Sequence, residues 1–345
     1  MVESRHRGSL AVLAPDGSVL FAAGAIDRPM FPRSSNKPMQ AAAMLRCGLE
    51  LDGHLLALAA ASHSGEEFHV TGVREILALA GLTEADLQCP PDLPLDDAAQ
   101  KAWLRAGGAA DLAHMNCSGK HAAMLATCIA AGWPTATYRD PDHPLQVQIR
   151  QEVERLAGEP VSAIGVDGCG APLLAISVAG LARAFGALVL AEPGSAERRV
   201  ADAMRAHPTW TSGTTRPEAA LVSAVPGLLM KSGAEGVCAF ALADGRAAAV
   251  KFDDGAQRPV APLMATLLRG LTASAPAQPS AAGPAQPSAA APAQPAAAAP
   301  DPNPDAGRAV LARLATTPVA GGGVPVGEIR AVLASLSGLP RLVGV

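Results

Sequence analysis

The stretch Phe31-Pro32-Arg33-Ser34-Ser35-Asn36-Lys37-Pro38-Met39-Gln40 opens the first helical pattern of the chain and contains its only Ser-x-x-Lys motif. Residues three apart share one face of a helix, so we expect the Ser34 hydroxyl to meet the Lys37 amine. A serine beside a neutral lysine is an acyl-transfer nucleophile that carries its own base. The stretch therefore predicts a reactive serine at the start of the first helix.

Lysine is scarce in the rest of the chain. Arginine cannot lose its proton in a protein, whereas lysine can if it is desolvated or set near other cations. We therefore interpret the lysines in short, chemically suggestive motifs as candidates for function, and three of the five lie in such motifs. The 27 basic residues comprise 22 arginines and five lysines, namely Lys37, Lys101, Lys120, Lys231 and Lys251.

Composition limits the class of protein. The 345 residues, 49% of them hydrophobic, suffice for one large domain or two smaller ones. A net charge of -4 gives no reason to expect nucleic acid or an anionic membrane as a partner. No apolar run approaches the roughly 20 residues of a membrane span. The apolar segment 9–14 is too short for a signal peptide, so we expect a cytoplasmic protein with reduced cysteines.

Two hairpin patterns predict the fold class. Strands 9–14 and 18–23 surround a Pro-Asp-Gly turn, and strands 237–242 and 247–252 surround an Ala-Asp-Gly turn. Between them the pattern is helical, without alternating βαβ units, which disfavours a doubly wound parallel sheet. We predict an α/β protein of the α+β type, a central antiparallel sheet flanked by helices. Helices are expected at 34–48, 54–61, 69–80, 97–105, 119–132, 143–157, 172–185, 195–207, 259–271 and 306–315.

The composition changes sharply within 272–305. Pro-Ala-Gln-Pro begins at Pro276, Pro284 and Pro292, with alanine and serine between the repeats. Such a segment has almost nothing to bury, so we predict a solvated, polyproline-like insertion. We expect a single domain over 1–345, interrupted by this insertion, and no activity that depends on it.

A second lysine motif, Lys231-Ser232-Gly233, stands just before the predicted strand 237–242. Lys-[Ser/Thr]-Gly beside a strand accompanies Ser-x-x-Lys in serine β-lactamases and penicillin-binding enzymes. Both motifs in one chain are more specific than either alone. The alternative is a turn in which the lysine is merely solvated.

Two further clusters contain candidate residues. Cys117, Lys120 and the glycine-flanked Cys169 offer two thiolates and a nitrogen, which would suit zinc with a fourth position open. Buried free cysteine is ordinary, however, and lysine is a rare metal ligand. Ser62-His63-Ser64-Gly65 offers two hydroxyls and an imidazole, but alone it could be a helix cap or a turn.

Taken together, six segments resemble the rhizobial-type (class 3) L-asparaginases, in order and over nearly the whole chain outside 272–305. The combination is specific to that family. The segments are Glu3-Ser4-Arg5-His6-Arg7-Gly8, Arg33-Ser34-x-x-Lys37, Ser62-His63-Ser64-Gly65-Glu66, Cys117-Ser118-Gly119-Lys120-His121, Asp167-Gly168-Cys169-Gly170 and Lys231-x-Gly233-Ala234-Glu235-Gly236.

The resemblance implies hydrolysis of L-asparagine to L-aspartate and ammonia, on a fold similar to serine β-lactamases and serine-dependent glutaminases. It also implies a homodimer with one zinc per chain and two Ser–Lys tandems. Lys251 is the alternative to Lys231, and the chain departs from the family in its insertion and in lacking an asparagine near Gly321. The implied residues are Ser34, Lys37, Ser64 and Lys231 for catalysis, Cys117, Lys120 and Cys169 for zinc, and Arg33, His63, Asp167 and His121 around the substrate.

The resulting hypothesis is that Ser34 attacks the side-chain amide while Lys37 takes its proton. Free lysine titrates near ~10.4, so Lys37 needs a shift of roughly three pKa units to act as a base near neutral pH. Arg33 suits the substrate carboxylate. Three alternatives remain: a glutaminase, a β-lactamase-like or peptidase-like hydrolase, and a non-catalytic zinc-binding protein.

Overall fold

A computed structural model describes residues 1–273 and 304–332. Its strands are β1 Gly8–Leu13, β2 Val19–Ala23, β3 Pro29–Met30, β4 Ala163–Val166, β5 Pro172–Ser177, β6 Leu229–Gly233, β7 Val237–Ala241, β8 Ala247–Phe252, β9 Thr316–Gly321 and β10 Val324–Arg330. Its α-helices are α1 Lys37–Arg46, α2 Gly53–Ala59, α3 Glu67–Leu79, α4 Asp97–Arg105, α5 Ser118–Ala131, α6 Pro144–Ala157, α7 Val178–Leu190, α8 Ala196–Ala206, α9 Pro208–Thr211, α10 Pro217–Ala224, α11 Val260–Ala273 and α12 Pro304–Leu314. Short 3₁₀ turns lie at Arg33–Asn36 and Glu84–Asp86.

The two predicted hairpins form the centre of the fold. They join into one five-stranded sheet in the order β2-β1-β8-β7-β6. Strand β1 pairs antiparallel with β8, and Leu10 lies opposite Val250. Gly17 and Gly245 adopt φ of 83° and 91° in the two turns, which is why glycine follows aspartate there. The predicted central antiparallel sheet flanked by helices is confirmed.

Side-chain alternation buries both faces of this sheet. On β1, Leu10 and Val12 contribute to one hydrophobic core together with Met264 of α11. The intervening Ala11 and Leu13 contribute to a larger core on the opposite face. Because successive side chains of a strand point to opposite sides, one apolar strand can serve two helical layers.

The prediction of a helix over 172–185 is wrong at its beginning. Residues Pro172–Ser177 form β5, which pairs with β3 and β4 in a second sheet. Ser177 then caps α7, its hydroxyl accepting a hydrogen bond from the Gly180 N–H at 2.8 Å. A short, fully buried apolar run has the same pattern in a strand and in a helix, so periodicity could not separate them.

Two further features lie in the second half of the chain. Lys231 lies within β6 itself rather than in a turn before the next strand. The glycines at 321–323 form the turn of the hairpin β9–β10. The Ala/Pro repeats at Pro276, Pro284 and Pro292 fall outside the described residues. Within 1–273 and 304–332, no helix is long and apolar enough to span a membrane.

Candidate active site

A cavity of about 480 Å³ opens beside the end of β6. Its wall combines the 3₁₀ turn that precedes α1, the loop before α5, the loop that follows β4 and the start of α10. These pieces come from positions between residues 33 and 261 of the chain. The cavity therefore exists only because the sheet and its flanking helices bring them together.

The turn Arg33–Asn36 is held in an unusual conformation. Arg33 has a φ of 52°, which non-glycine residues rarely adopt and which costs of order 1–3 kcal/mol. Its Nε donates to Asp167 Oδ1 at 2.8 Å. A Cβ at Gly233 would lie 2.5 Å from the Pro32 carbonyl oxygen, so only glycine lets β6 approach this turn. The strain and the close approach together place Arg33 and Ser34 in the cavity wall.

Ser34 and Lys37 are neighbours in sequence but do not form the expected hydrogen bond in the described structure. Ser34 is half-buried and lines the cavity. The Lys37 side chain is only 1% exposed, and its Nζ donates to the Ala61 carbonyl, to Ser62 Oγ at 3.0 Å and to Cys117 Sγ at 3.1 Å. An ammonium would donate to all three, whereas the neutral amine that a base requires would donate to two of them and accept from the Ser62 hydroxyl.

The serine that accompanies Lys37 is Ser62. It lies in the cavity wall and accepts the hydrogen bond from Lys37. Ser64 is fully buried, and its hydroxyl donates to the Ser212 carbonyl at 2.8 Å. The expected Ser64–Lys231 pair is therefore not brought together in this structure, because the hydroxyl of Ser64 is committed to a buried backbone group away from the cavity wall.

Lys231 is buried beneath the cavity wall, on β6. Its Nζ donates to the Ser232 carbonyl at 2.7 Å, and its own carbonyl accepts from Ser35 Oγ at 3.1 Å. Burial, followed by the charge of Lys37, lowers the pKa of Lys231 to about 7. The alternative, Lys251, is half-buried and donates to the carbonyls of Glu235 and Phe252. Of these two lysines, Lys231 is therefore the one whose surroundings favour the loss of a proton near neutral pH.

The two histidines expected around the substrate are buried behind the cavity. His63 Nε2 lies 2.8 Å from Ser118 Oγ, and its Nδ1 accepts from the Gly65 N–H. Both ring nitrogens are thus occupied by neighbouring groups of the protein. His121 Nδ1 lies 2.6 Å from the Tyr138 hydroxyl. Neither histidine forms part of the cavity wall, and their geometry supports a structural contribution in place of substrate contact.

The expected zinc residues do lie together, since Cys117 and Cys169 line the cavity and Lys120 is buried beside Cys169. Lys120 Nζ is 3.0 Å from Cys169 Sγ, and the Asp167 carboxylate is 3.8 Å from the same sulfur. The Cys117 thiol donates to Asn116 Oδ1 at 2.9 Å. Interaction with Cys117 lowers the pKa of Cys169, and the same interaction together with burial raises the pKa of Cys117. Two sulfurs and one nitrogen converge, although the described residues contain no group of three or more His, Cys, Asp or Glu side chains arranged for a metal.

Three polar residues of the wall were given no role from sequence. Ser232 stands in the Lys231 motif, whereas Arg216 and Glu218 flank the first proline of α10. The Ser232 hydroxyl donates to Glu218 Oε1, which also accepts from Arg216 at 3.1 Å. No spacing rule links residues 216 and 218 to residue 232, so only the fold reveals this contact.

A serine-lined cavity backed by two buried lysines, in a helix-flanked antiparallel sheet, defines a hydrolase-type site. The chain belongs to the L-asparaginase II family, whose model matches residues 1–294. The protein is thus an amidohydrolase of the asparaginase type. A search of curated proteins found no match.

Solved structures give distant similarities. "EstCE1, a hydrolase with promiscuous acyltransferase activity" aligns at 14% identity and a TM-score of 0.35, covering 70% of this chain and 87% of that one. Mglu "in its tris and glutamate form" aligns at 19% identity and a TM-score of 0.33, covering 75% of this chain and 58% of that one. The chain therefore spans just over half of the length of Mglu, and neither TM-score supports a structural argument.

Proposed function

We propose that the protein hydrolyses L-asparagine to L-aspartate and ammonia through an acyl-enzyme on Ser34. The observation that carries the proposal is the placement of Ser34 and Ser62 in one cavity wall, with Lys37 and Lys231 buried directly behind it. Membership in the asparaginase family supplies the reaction type. The hydrogen bond between Lys37 Nζ and Ser62 Oγ, 3.0 Å long, supplies a route for the proton that Ser34 loses.

In the first half-reaction Ser34 Oγ bonds to the side-chain amide carbon and its proton passes towards Lys37. Ser62 lies between the cavity and Lys37, at 3.0 Å from Nζ, so its hydroxyl is positioned to relay that proton. We take the oxyanion to be stabilised by the backbone N–H groups of the turn around Ser34. Breaking the C–N bond then expels the leaving nitrogen, which needs a proton to depart as ammonia.

Lys231 suits that proton transfer. A group with a pKa of about 7 is populated in both protonation states at neutral pH, as a relay requires. In the second half-reaction a water attacks the acyl-enzyme, giving L-aspartate and free Ser34. Arg33, fixed by Asp167, has the forked geometry that suits the substrate carboxylate.

The test of this function is ammonia release from L-asparagine compared with L-glutamine and a chromogenic β-lactam. We expect asparagine to be the best of the three substrates. One additional methylene is worth only about 1–3 kcal/mol of discrimination, so glutamine is the demanding comparison. A higher kcat/KM for glutamine would favour the glutaminase alternative. Turnover of the β-lactam alone would favour a β-lactamase-like enzyme.

Ser62→Ala and Ser64→Ala form a matched pair of variants. We expect Ser62→Ala to lower kcat by about 10²–10³-fold, because it removes the hydroxyl that accepts from Lys37. Ser64→Ala should keep kcat within about threefold, while costing about 1–3 kcal/mol of stability through the unpaired Ser212 carbonyl. Steady-state kinetics and urea unfolding measure both effects. Equal losses of kcat in the two variants would restore Ser64 to the reaction.

The donor atoms beside the cavity support a zinc site, provided that Lys120 gives up its proton to act as a ligand. Cys117, Cys169 and Lys120 converge from a helix start and a loop, and zinc prefers such sulfur and nitrogen donors. The buried Nε2 of His121 has no hydrogen-bond partner in the described structure, although Cys169 lies beside it. We propose that Cys117, Cys169 and Lys120 hold zinc, which when bound would add a positive charge beside the substrate cavity.

The homodimer and the cytoplasmic location are predictions from the sequence, and they remain predictions.

Cys169→Ala is expected to lower the zinc content from about one ion per chain to near zero, because it removes one of only two sulfur donors. Elemental analysis of the purified protein measures this directly. Cys47→Ala is the matched control, since Cys47 is half-buried at the end of α1 and away from the cavity. Zinc retained in full by the Cys169 variant would remove the proposed site.

A further inference from the structure

The charged side chains of the cavity wall occur as two ion pairs. Arg33 Nε donates to Asp167 at 2.8 Å, and Arg216 donates to Glu218 at 3.1 Å. An α-amino acid carries a carboxylate and an ammonium on the same carbon. Its recognition in a desolvated cavity needs a cation and an anion close to one another, since an unpaired buried charge is costly.

The Glu218 carboxylate can accept further hydrogen bonds. Its side chain is 15% exposed and lies in the cavity wall. Oε1 accepts from Ser232 and Arg216, whereas Oε2 has, among the described residues, a single long contact of 3.5 Å, with Arg216 Nε. A carboxylate offers about four acceptor positions, so Oε2 has unused capacity. Although burial acts in the opposite direction, Arg216 and Ser232 lower the pKa of Glu218 to about 2, which keeps it ionised.

Arg33 and Glu218 flank the same two residues of β6. Glu218 is bonded to the Ser232 hydroxyl. The next residue, Gly233, packs so closely on the turn that a Cβ there would lie 3.2 Å from Arg33 Cβ. The cation and the anion thus lie on either side of one dipeptide, Ser232-Gly233, in the wall of the same cavity.

We propose that Glu218, together with the Ser232 oxygen, binds the α-ammonium group of the substrate while Arg33 binds its α-carboxylate. This inference rests on the proposed amidohydrolase function and assigns Glu218 the selection of α-amino acids over simple dicarboxylic monoamides. Asp167 is the other carboxylate of the wall, but its Oδ1 is committed to Arg33 and its Oδ2 faces Cys169. We therefore assign Asp167 the positioning of Arg33.

The test compares L-asparagine with succinamate, which is the same monoamide without the α-amino group. In Glu218→Gln we expect kcat/KM for L-asparagine to fall about 100-fold, mainly through KM, because a buried charge pair is lost. The value for succinamate should change less than about threefold. Equal losses for the two substrates, or no loss for asparagine, would overturn the assignment, since a merely structural role affects both alike.

Binding measurements separate this inference from the proposed function. Calorimetric titration with L-aspartate and with succinate gives the same comparison without turnover. If the wild type hydrolyses no amide but prefers L-aspartate, and Glu218→Gln loses that preference, only the proposed function fails. Ser232→Ala is the second variant if the Glu218 variant is unfolded, with the same expected loss of preference. Asp167→Asn is the matched carboxylate control and should weaken both ligands alike.

Discussion

Ser34→Ala is expected to lower kcat for ammonia release from L-asparagine by about 10⁴-fold or more. Removing a nucleophile eliminates the covalent route altogether, and what remains comes from substrate binding and oxyanion stabilisation. Ser34 is the cavity-wall serine on the strained turn in which Arg33 adopts a φ of 52°. Because the Ser34 hydroxyl is half-buried and has no protein partner in the described structure, its loss should affect the reaction far more than folding.

Two measurements check the Ser34 prediction. A coupled ammonia assay gives kcat, and mass spectrometry of quenched reactions detects the aspartyl adduct on the peptide that contains residues 33–37. Ser18→Ala is the matched control, since Ser18 is a serine of the β1–β2 turn whose hydroxyl donates only to Asp16. Activity of the Ser34 variant within tenfold of wild type, or an adduct that persists, would show that Ser34 is not the nucleophile.

Lys231→Met is expected to lower kcat/KM by about 10²–10⁴-fold and to alter its pH dependence. The pKa of Lys231 is lowered to about 7 by burial and by Lys37. Above pH 7 Lys231 loses its proton and can no longer give one to the leaving nitrogen, so wild-type kcat/KM should fall on the alkaline side of about pH 7. That alkaline limb should disappear in Lys231→Met.

Lys231→Arg distinguishes charge from proton transfer. Arginine keeps the positive charge but cannot lose its proton, so this variant should stay poorly active at every pH. Lys251→Met is the matched control, because Lys251 is half-buried and donates to the carbonyls of Glu235 and Phe252. An unchanged alkaline limb in Lys231→Met would assign the titration to another group. A larger loss in Lys251→Met would favour the lysine that the sequence left as the alternative.

Much of the fold followed from local patterns. The hairpins around Gly17 and Gly245 were predictable because Asp-Gly turns and alternating strands have a short-range cause. The strand Pro172–Ser177 was not, because its six residues are all buried and show no period of two. The strand β6 was also missed, although its motif Lys231-Ser232-Gly233 was noted. A short strand that is buried on both faces cannot be distinguished by its sequence pattern from a turn or a buried helix, because its burial depends on the elements packed against it.

Some residues of the candidate site could be identified from sequence motifs, and others only from the structure. The structure brings the residues that the motifs singled out to one cavity or directly behind its wall. They are Ser34, Lys37, Cys117, Lys120, Cys169 and Lys231. The resemblance assigned the second catalytic serine to Ser64, whereas the structure pairs Ser62 with Lys37. Residues 61–66 form an irregular segment in which side-chain direction follows no period, so only the packed structure shows which hydroxyl meets Lys37.

By itself, the sequence determined which reactive groups the protein has: one Ser-x-x-Lys motif, a few lysines among many arginines, and the cysteines Cys117 and Cys169 in short glycine-containing motifs. Tertiary structure decided which of them meet. The lowered pKa of Lys231 comes from burial and from Lys37, nearly 200 residues away in the chain, and Glu218 reaches Ser232 only across the fold. Desolvation and charge–charge interactions depend on distance in space, and a linear pattern carries no such distance.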